Sequence, residues 1–110
     1  MIYIALKEEI YNKKYVKEYF EDFDKLKQHI LTANYTPYWA EKKTAIPAKK
    51  IIQITREFFG AKNPLYYLGR RSVWSQNDFQ FRRAMVLINA LAGSINKKGG
   101  IIFGKTIKIP

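Results

Sequence analysis

The chain has 110 residues, enough for one domain with a real core but short for two, and its 47% apolar and 15% aromatic content excludes intrinsic disorder. Twenty Lys and Arg against nine Asp and Glu give a formal charge of +11, which implies an anionic partner such as nucleic acid, a phosphorylated cofactor or an acidic surface. Zero cysteines and one histidine exclude disulfides, thiolate or His-rich metal sites and a self-contained iron–sulfur cluster.

The opening "MIYIALKEEI" has neither a basic leader nor a long apolar run, so no signal peptide is expected, and the chain expressed alone would be cytoplasmic. No stretch reaches the roughly 18 apolar residues of a membrane span. Ile2, Tyr3, Leu6 and Ile10 predict one short helix, and Tyr15, Val16, Tyr19 and Phe20 a second. Asp22 can cap a third helix carrying Phe23, Leu26 and Ile30 on one face. His29 lies beside that stripe and reads as a partly exposed structural histidine.

"TPYWAEKKTAIPAKKIIQITREFFG" predicts two tandem helices, each opened by a proline: Thr36 caps the first at Pro37, and Pro47 starts the second. Ile51, Ile54 and Phe58, widened by Thr55, form the apolar face of the latter, and Gly60 is placed as a left-handed stop. Asn63-Pro64 signals a turn, after which the apolar run Leu65 to Leu68 predicts a buried strand. Residues 69 to 77 read as a loop.

The longest helix is predicted from Asp78 to Ile95, with Phe81, Ala84, Met85, Ile88, Leu91, Ala92 and Ile95 as its buried side. Asn77 is placed as its N-cap, with Gln80 completing an amide version of the capping box. Asn96 can take the left-handed conformation, Gly99-Gly100 makes a turn, and "KTIKIP" predicts a second short strand at Ile107 to Ile109. Three regions result: helical residues 1–60, a strand-loop-helix segment 61–100 and an extended tail 101–110. The predicted core is the pair of helices at Ile51 to Phe58 and Phe81 to Ile95 flanking the strand.

The charge is uneven, net +4 over residues 1–68 and net +7 over residues 69–110, where Asp78 is the single acid. A strand, a loop and a helix N-terminus with nearby arginines make a geometry that favours an anion. "LGRRSVW" nevertheless lacks both the dinucleotide glycine spacing and the Walker pattern. Arg70, Arg71, Arg82, Arg83, Lys97 and Lys98 with Tyr66, Tyr67, Trp74 and Phe79 would equally suit phosphate contact with base stacking, so a stand-alone basic helical module binding nucleic acid is the alternative reading. A helical adaptor without a ligand is a third. Ser72 and Ser75 have no histidine nearby, and Asp22, Asp24, Glu8 and Glu9 read as helix-start or surface acids, so no catalytic set is visible.

"GRRSVWSQNDFQFRRAMVLINALAGSINKKGG", residues 69 to 100, resembles a segment of the molybdopterin oxidoreductase family, with closest likeness to its thiosulfate and polysulfide reductase branch. Gly69, Arg70, Trp74, Asn77, Asp78, Gln80, Arg83, Ala84, Leu87, Asn89, Ala90, Leu91, Gly93, Gly99 and Gly100 carry the pattern. "IYNKKYVKEYFEDFDKLKQHI" and "YTPYWAEKKTAIPAKKIIQITREF" are similar to upstream elements of the same proteins. Ala45 and Asn96 stand where that family commonly has glycine, Tyr38 where it has an acid and Ser94 where it has Asn.

The resemblance implies an α/β, helix-rich fold: a piece of a Rossmann-like molybdopterin-binding domain with one or two short strands and five or six helices. It implies an internal fragment of a catalytic subunit reducing thiosulfate or polysulfide in anaerobic respiration, inactive by itself. The implied cofactor is bis-molybdopterin guanine dinucleotide, with a 4Fe-4S cluster elsewhere in the parent. Gly69, Arg70, Arg71, Trp74, Asn77 and Gln80 are the implied cofactor-binding residues, for Asn77 and Gln80 in competition with a cap role, while Arg83 reads as a structural ion-pair partner; no catalytic or metal-binding residue falls in the fragment. Implied partners are the rest of the catalytic subunit, an electron-transfer iron–sulfur subunit and a membrane anchor subunit, in a periplasmic or cell-envelope location. No direct nucleic acid is expected on this reading, and the isolated fragment is expected to self-associate.

Overall fold

The structure is a computed structural model that describes residues 1–67, 69 and 76–104. Six helices are present among the described residues: α1 (Ile2–Lys7), α2 (Lys13–Tyr19), α3 (Phe23–Thr32), α4 (Pro37–Thr44), α5 (Ala48–Gly60) and α6 (Asp78–Leu91). The fold is helix-rich, as the periodicity predicts.

The helix starts follow local chemistry. Asn12 accepts from the Tyr15 N–H at 2.9 Å to cap α2, and Thr36 accepts from the Trp39 N–H at 3.1 Å to cap α4, with Pro37 in its first turn. Asp22 departs from expectation: it sits before α3 with a left-handed backbone (φ 52°), makes no cap bond, and pairs instead with Lys25 at 2.9 Å. Gly60 also differs, because it is the last helical residue of α5 and the chain leaves in an extended conformation at Ala61.

Helices this short do not persist alone, so tertiary burial must hold them. α1 is the hub, with Ile4, Ala5 and Leu6 buried, and it packs on α3 and α5 while α4 lies on α5 and α2 on α6. Leu6, Val16 and Leu91 form the core, ringed by Ile2, Tyr11, Phe20, Phe23, Ile30, Leu31, Phe59 and Leu87. Fully burying one such leucine is worth about 1.5–3 kcal/mol. Phe23 closes one side of this core, its ring 5.1 Å from Tyr11 and 5.9 Å edge-on from Phe20.

The core therefore differs from the predicted one. It is centred on α1, α2 and the end of α6, whereas Ile54 and Phe81 are exposed. Met85, Ile88 and Leu91 of the predicted stripe are buried, and α6 stops at Leu91, short of Ile95.

The predicted strand at Leu65 to Leu68 is absent over Leu65, Tyr66 and Tyr67, and Leu68 lies outside the described residues. No strand occurs among the described residues, only an isolated bridge between Ile95 and Ile101. A strand requires a neighbouring strand for its ladder, and here a side chain takes that place, as described below. The Rossmann-like arrangement has no sheet to stand on among these residues, and the second predicted strand, Ile107 to Ile109, lies outside them.

Two glutamates at the end of α1 tie the hub to its neighbours. Glu8 accepts two hydrogen bonds from Arg56 of α5 at 2.9 and 2.8 Å, which holds its carboxyl below the usual range and raises the guanidinium. Glu9 accepts from Lys27 of α3 at 2.9 Å and from Lys13 of α2 at 3.1 Å, which lowers Glu9 and raises Lys27. All four helices converge on this acidic pair.

Candidate functional site

α6 organises the C-terminal third. Asn89 interrupts its apolar stripe between Ile88 and Leu91 and is fully buried, and a buried amide must have its polar atoms partnered. Its Oδ1 accepts from the Tyr66 N–H at 2.8 Å, and its Nδ2 donates to the Tyr66 carbonyl at 2.9 Å and to the Met85 carbonyl at 2.9 Å. Ser94 Oγ donates to the Pro64 carbonyl. Residues 64–66 are thus fastened at two points, to Asn89 of α6 and to Ser94 just beyond its end, with Asn89 in the place of a pairing strand.

The end of α6 is fixed with similar economy. The Asn12 N–H donates to the Leu91 carbonyl at 2.8 Å, and Gly93 (φ 71°) passes so close to Asn12 that a Cβ there would lie 2.6 Å from its Nδ2. The Ile101 N–H returns to the Ser94 carbonyl at 2.9 Å, and a Cβ on Gly100 would fall 1.9 Å from that oxygen.

Fastening Tyr66 builds one wall of a cleft of 770 Å³, whose other walls are Tyr3, Tyr35, Trp39, Phe81 and Met85. That volume lies in the range of small-molecule and cofactor sites. Tyr35 and Trp39 pack on each other with ring centroids 5.2 Å apart, and Tyr66 stands 6.5 Å from Phe58, which lies outside the lining. The Asn77 and Gln80 amides are the polar groups at the α6 end of the lining.

At that end the helix start is not the predicted capping box. Asn77 has a left-handed backbone (φ 73°) and its side chain makes no cap bond, so Asn suits the position for its tolerance of that conformation. Gln80 accepts from Arg83 Nη1 at 3.3 Å. Asp78 faces the positive end of the helix dipole and pairs with Arg82 at 3.3 Å. Arg83 lies 5.7 Å over the Phe79 ring and Lys97 5.7 Å over Tyr15.

Of the six predicted site residues, the structure brings Asn77 and Gln80 together in the cleft, and Gly69 is half-buried. Arg70, Arg71 and Trp74 lie outside the described residues. Sequence reasoning missed the aromatic walls Tyr35 and Trp39, the latter assigned only to a helix, and the clamp of Asn89. The available signal for the last was an amide set inside an apolar stripe.

The described lining carries no carboxylate, lysine or histidine, and no group of three or more potential metal ligands occurs among the described residues. Such a surface can hold a ligand: aromatic faces suit a planar heterocycle, while amides suit its polar edge or a phosphate oxygen. The start of a 14-residue helix adds main-chain N–H donors of the kind that bind phosphate. No helix among the described residues is long and apolar enough to cross a membrane.

Comparison with known proteins shows what the chain is similar to. Over 110 residues, 99% of the chain, it is 29% identical to the molybdopterin-containing subunit of thiosulfate reductase from Salmonella typhimurium. These residues are similar to a stretch of a molybdopterin-containing reductase subunit. The chain is also 40% identical over 65 residues to a probable dimethyl sulfoxide reductase chain of Escherichia coli, and 40% identical over 79 residues to perchlorate reductase subunit alpha of Dechloromonas aromatica. The second match covers 59% of the chain and the third 71%. The chain spans 14% of the length of the first relative and 8% of each of the others. No family model matches the chain.

Proposed function

We propose that these residues form part of the catalytic subunit of a molybdopterin-dependent oxidoreductase that reduces an inorganic sulfur compound, thiosulfate or polysulfide, in anaerobic respiration. The observation that carries the reading is the match to the thiosulfate reductase subunit, which runs through 99% of the chain. The three relatives are all named for reductases, and the sulfur substrate rests on the first.

In this reading Asn77 and Gln80 offer amide contacts at the α6 end of the cleft to one part of a bis-molybdopterin guanine dinucleotide, and Gly69, Arg70, Arg71 and Trp74 supply the adjoining contacts. Arginine suits phosphates and sulfur oxyanions because it is permanently charged and forked. When bound, that cofactor supplies the metal centre for two-electron chemistry. The chain's own residues bind and orient; Tyr35, Trp39, Tyr66 and Phe81 exclude water from one side. The remaining cofactor contacts, a 4Fe-4S cluster, an iron–sulfur partner subunit and a membrane anchor at the periplasmic face belong to the rest of the proposed enzyme, and the 110 residues alone do not turn over.

The test is reductase activity of the native protein with reduced viologen as electron donor. Thiosulfate or polysulfide should drive dye oxidation, and Arg71→Ala should raise the KM for the anionic substrate roughly ten-fold, the loss of one charge-assisted contact. Turnover of dimethyl sulfoxide or perchlorate with neither sulfur anion accepted would overturn the substrate assignment.

A further inference from the structure

We propose that Asn89 is a positioning residue that acts on the cleft through the main chain of Tyr66. The inference rests on the ligand-binding reading of the cleft, and the geometry behind it is independent of which ligand binds.

Asn89 satisfies both main-chain groups of one residue with one side chain, at 2.8 and 2.9 Å, and anchors itself to its own helix at Met85 with its second N–H. A paired N–H and C=O fix the direction of the chain at Tyr66 as well as its position, because two parallel hydrogen bonds resist rotation where one would serve as a pivot. Met85, which holds the amide, itself lines the cleft with Tyr66. The anchor, the clamp and the wall are therefore one continuous unit.

Among the described residues, no other contact constrains Tyr66 comparably. Tyr66 is 36% exposed and Tyr67 78%, so burial holds the segment loosely. The other tether, Ser94 to the Pro64 carbonyl, lies two residues away and leaves rotation at Tyr66 open. The Tyr66 ring meets Phe58 edge-on at 6.5 Å, a contact that follows the backbone and cannot direct it. Asn89 touches no cleft volume itself, so its effect on a ligand passes through Tyr66.

The residue types that could replace it separate the roles. Asn89→Ala removes all three bonds. Asn89→Asp keeps the acceptor for the Tyr66 N–H but turns a carboxylate toward the Tyr66 and Met85 carbonyls, a repulsion relieved when the acid is protonated. The asparagine amide does not titrate, so only the aspartate variant should gain a pH dependence.

The experiment pairs two readouts on the native protein. Hydrogen exchange at the Tyr66 amide should accelerate at least ten-fold in Asn89→Ala, while amides of α1 and α3 keep wild-type rates. The KM for thiosulfate, or whichever acceptor the wild type turns over, should rise several-fold with kcat changed less. In Asn89→Asp both effects should diminish as pH falls, relative to wild type at each pH, and this variant carries the test should Asn89→Ala fail to fold. Unchanged Tyr66 exchange would overturn the clamp. Faster exchange with a wild-type KM, or an aspartate variant with the pH profile of wild type, would overturn the positioning role. Failure of the oxidoreductase reading shows separately, as absence of turnover in the unmutated protein.

Discussion

Three positions show how single residues set this fold. Ala45 closes α4 with φ 59°, a conformation that costs an L-residue about 1–2 kcal/mol and glycine little. Replacing it with glycine relieves that strain but adds freedom to the unfolded chain, so Ala45→Gly should stabilise by about 0.5–1 kcal/mol in urea melts. Asn96, at φ 59°, tolerates the same backbone through its residue type, so it offers no comparable gain. Gly100 is the opposite case. Its added Cβ would fall 1.9 Å from the Ser94 carbonyl oxygen, so Gly100→Ala must push apart the Ser94–Ile101 hydrogen bond and should cost about 1–3 kcal/mol, with the same melts as the check. A neutral outcome would mean that the turn after α6 yields without loss.

Among the elements, α1 is the shortest, and its fastening has a pH signature. Glu8 and Glu9 are held below the ordinary carboxylate range, chiefly by hydrogen bonds from Arg56 and Lys27. A carboxyl whose folded value is depressed adds stability above the unfolded value, and that contribution fades as pH falls through the folded one. The melting temperature should therefore drop as pH is lowered below about 4.5, and Glu8→Gln with Glu9→Gln should flatten that limb while lowering stability at pH 7. Added salt should weaken the same pairs, because they are exposed. Helix existence was legible because apolar residues recur at helical spacing and because Thr36, Pro37 and Pro47 mark starts by local chemistry. The strand was not, since pairing is a relation between distant segments and here the partner is the Asn89 side chain, 23 residues away. Nor was the exposure of Phe81, because periodicity gives a face and not what covers it. The cleft was half legible: Asn77 and Gln80 were singled out, whereas Tyr35 and Trp39 reach it from the start of α4 and the residue before its cap.

At the scale of the molecule, the described residues leave large apolar surface uncovered. Tyr67, Phe79, Phe103 and Ile102 are each about two-thirds exposed or more, and the radius of gyration of 15.1 Å exceeds the roughly 13 Å of a compact domain of this length. Exposed apolar faces of this kind seek partners. The 110-residue chain by itself should therefore self-associate, with an apparent mass in size exclusion that rises with loading concentration; one monomeric mass at every concentration would contradict this. In the proposed enzyme, other parts of the subunit cover these faces. The most direct measurement is molybdenum and released pterin, quantified together on the native protein purified without oxygen. The account predicts one metal ion and two pterins per catalytic subunit, whereas purified protein with neither, from cells supplied with molybdate, would contradict it.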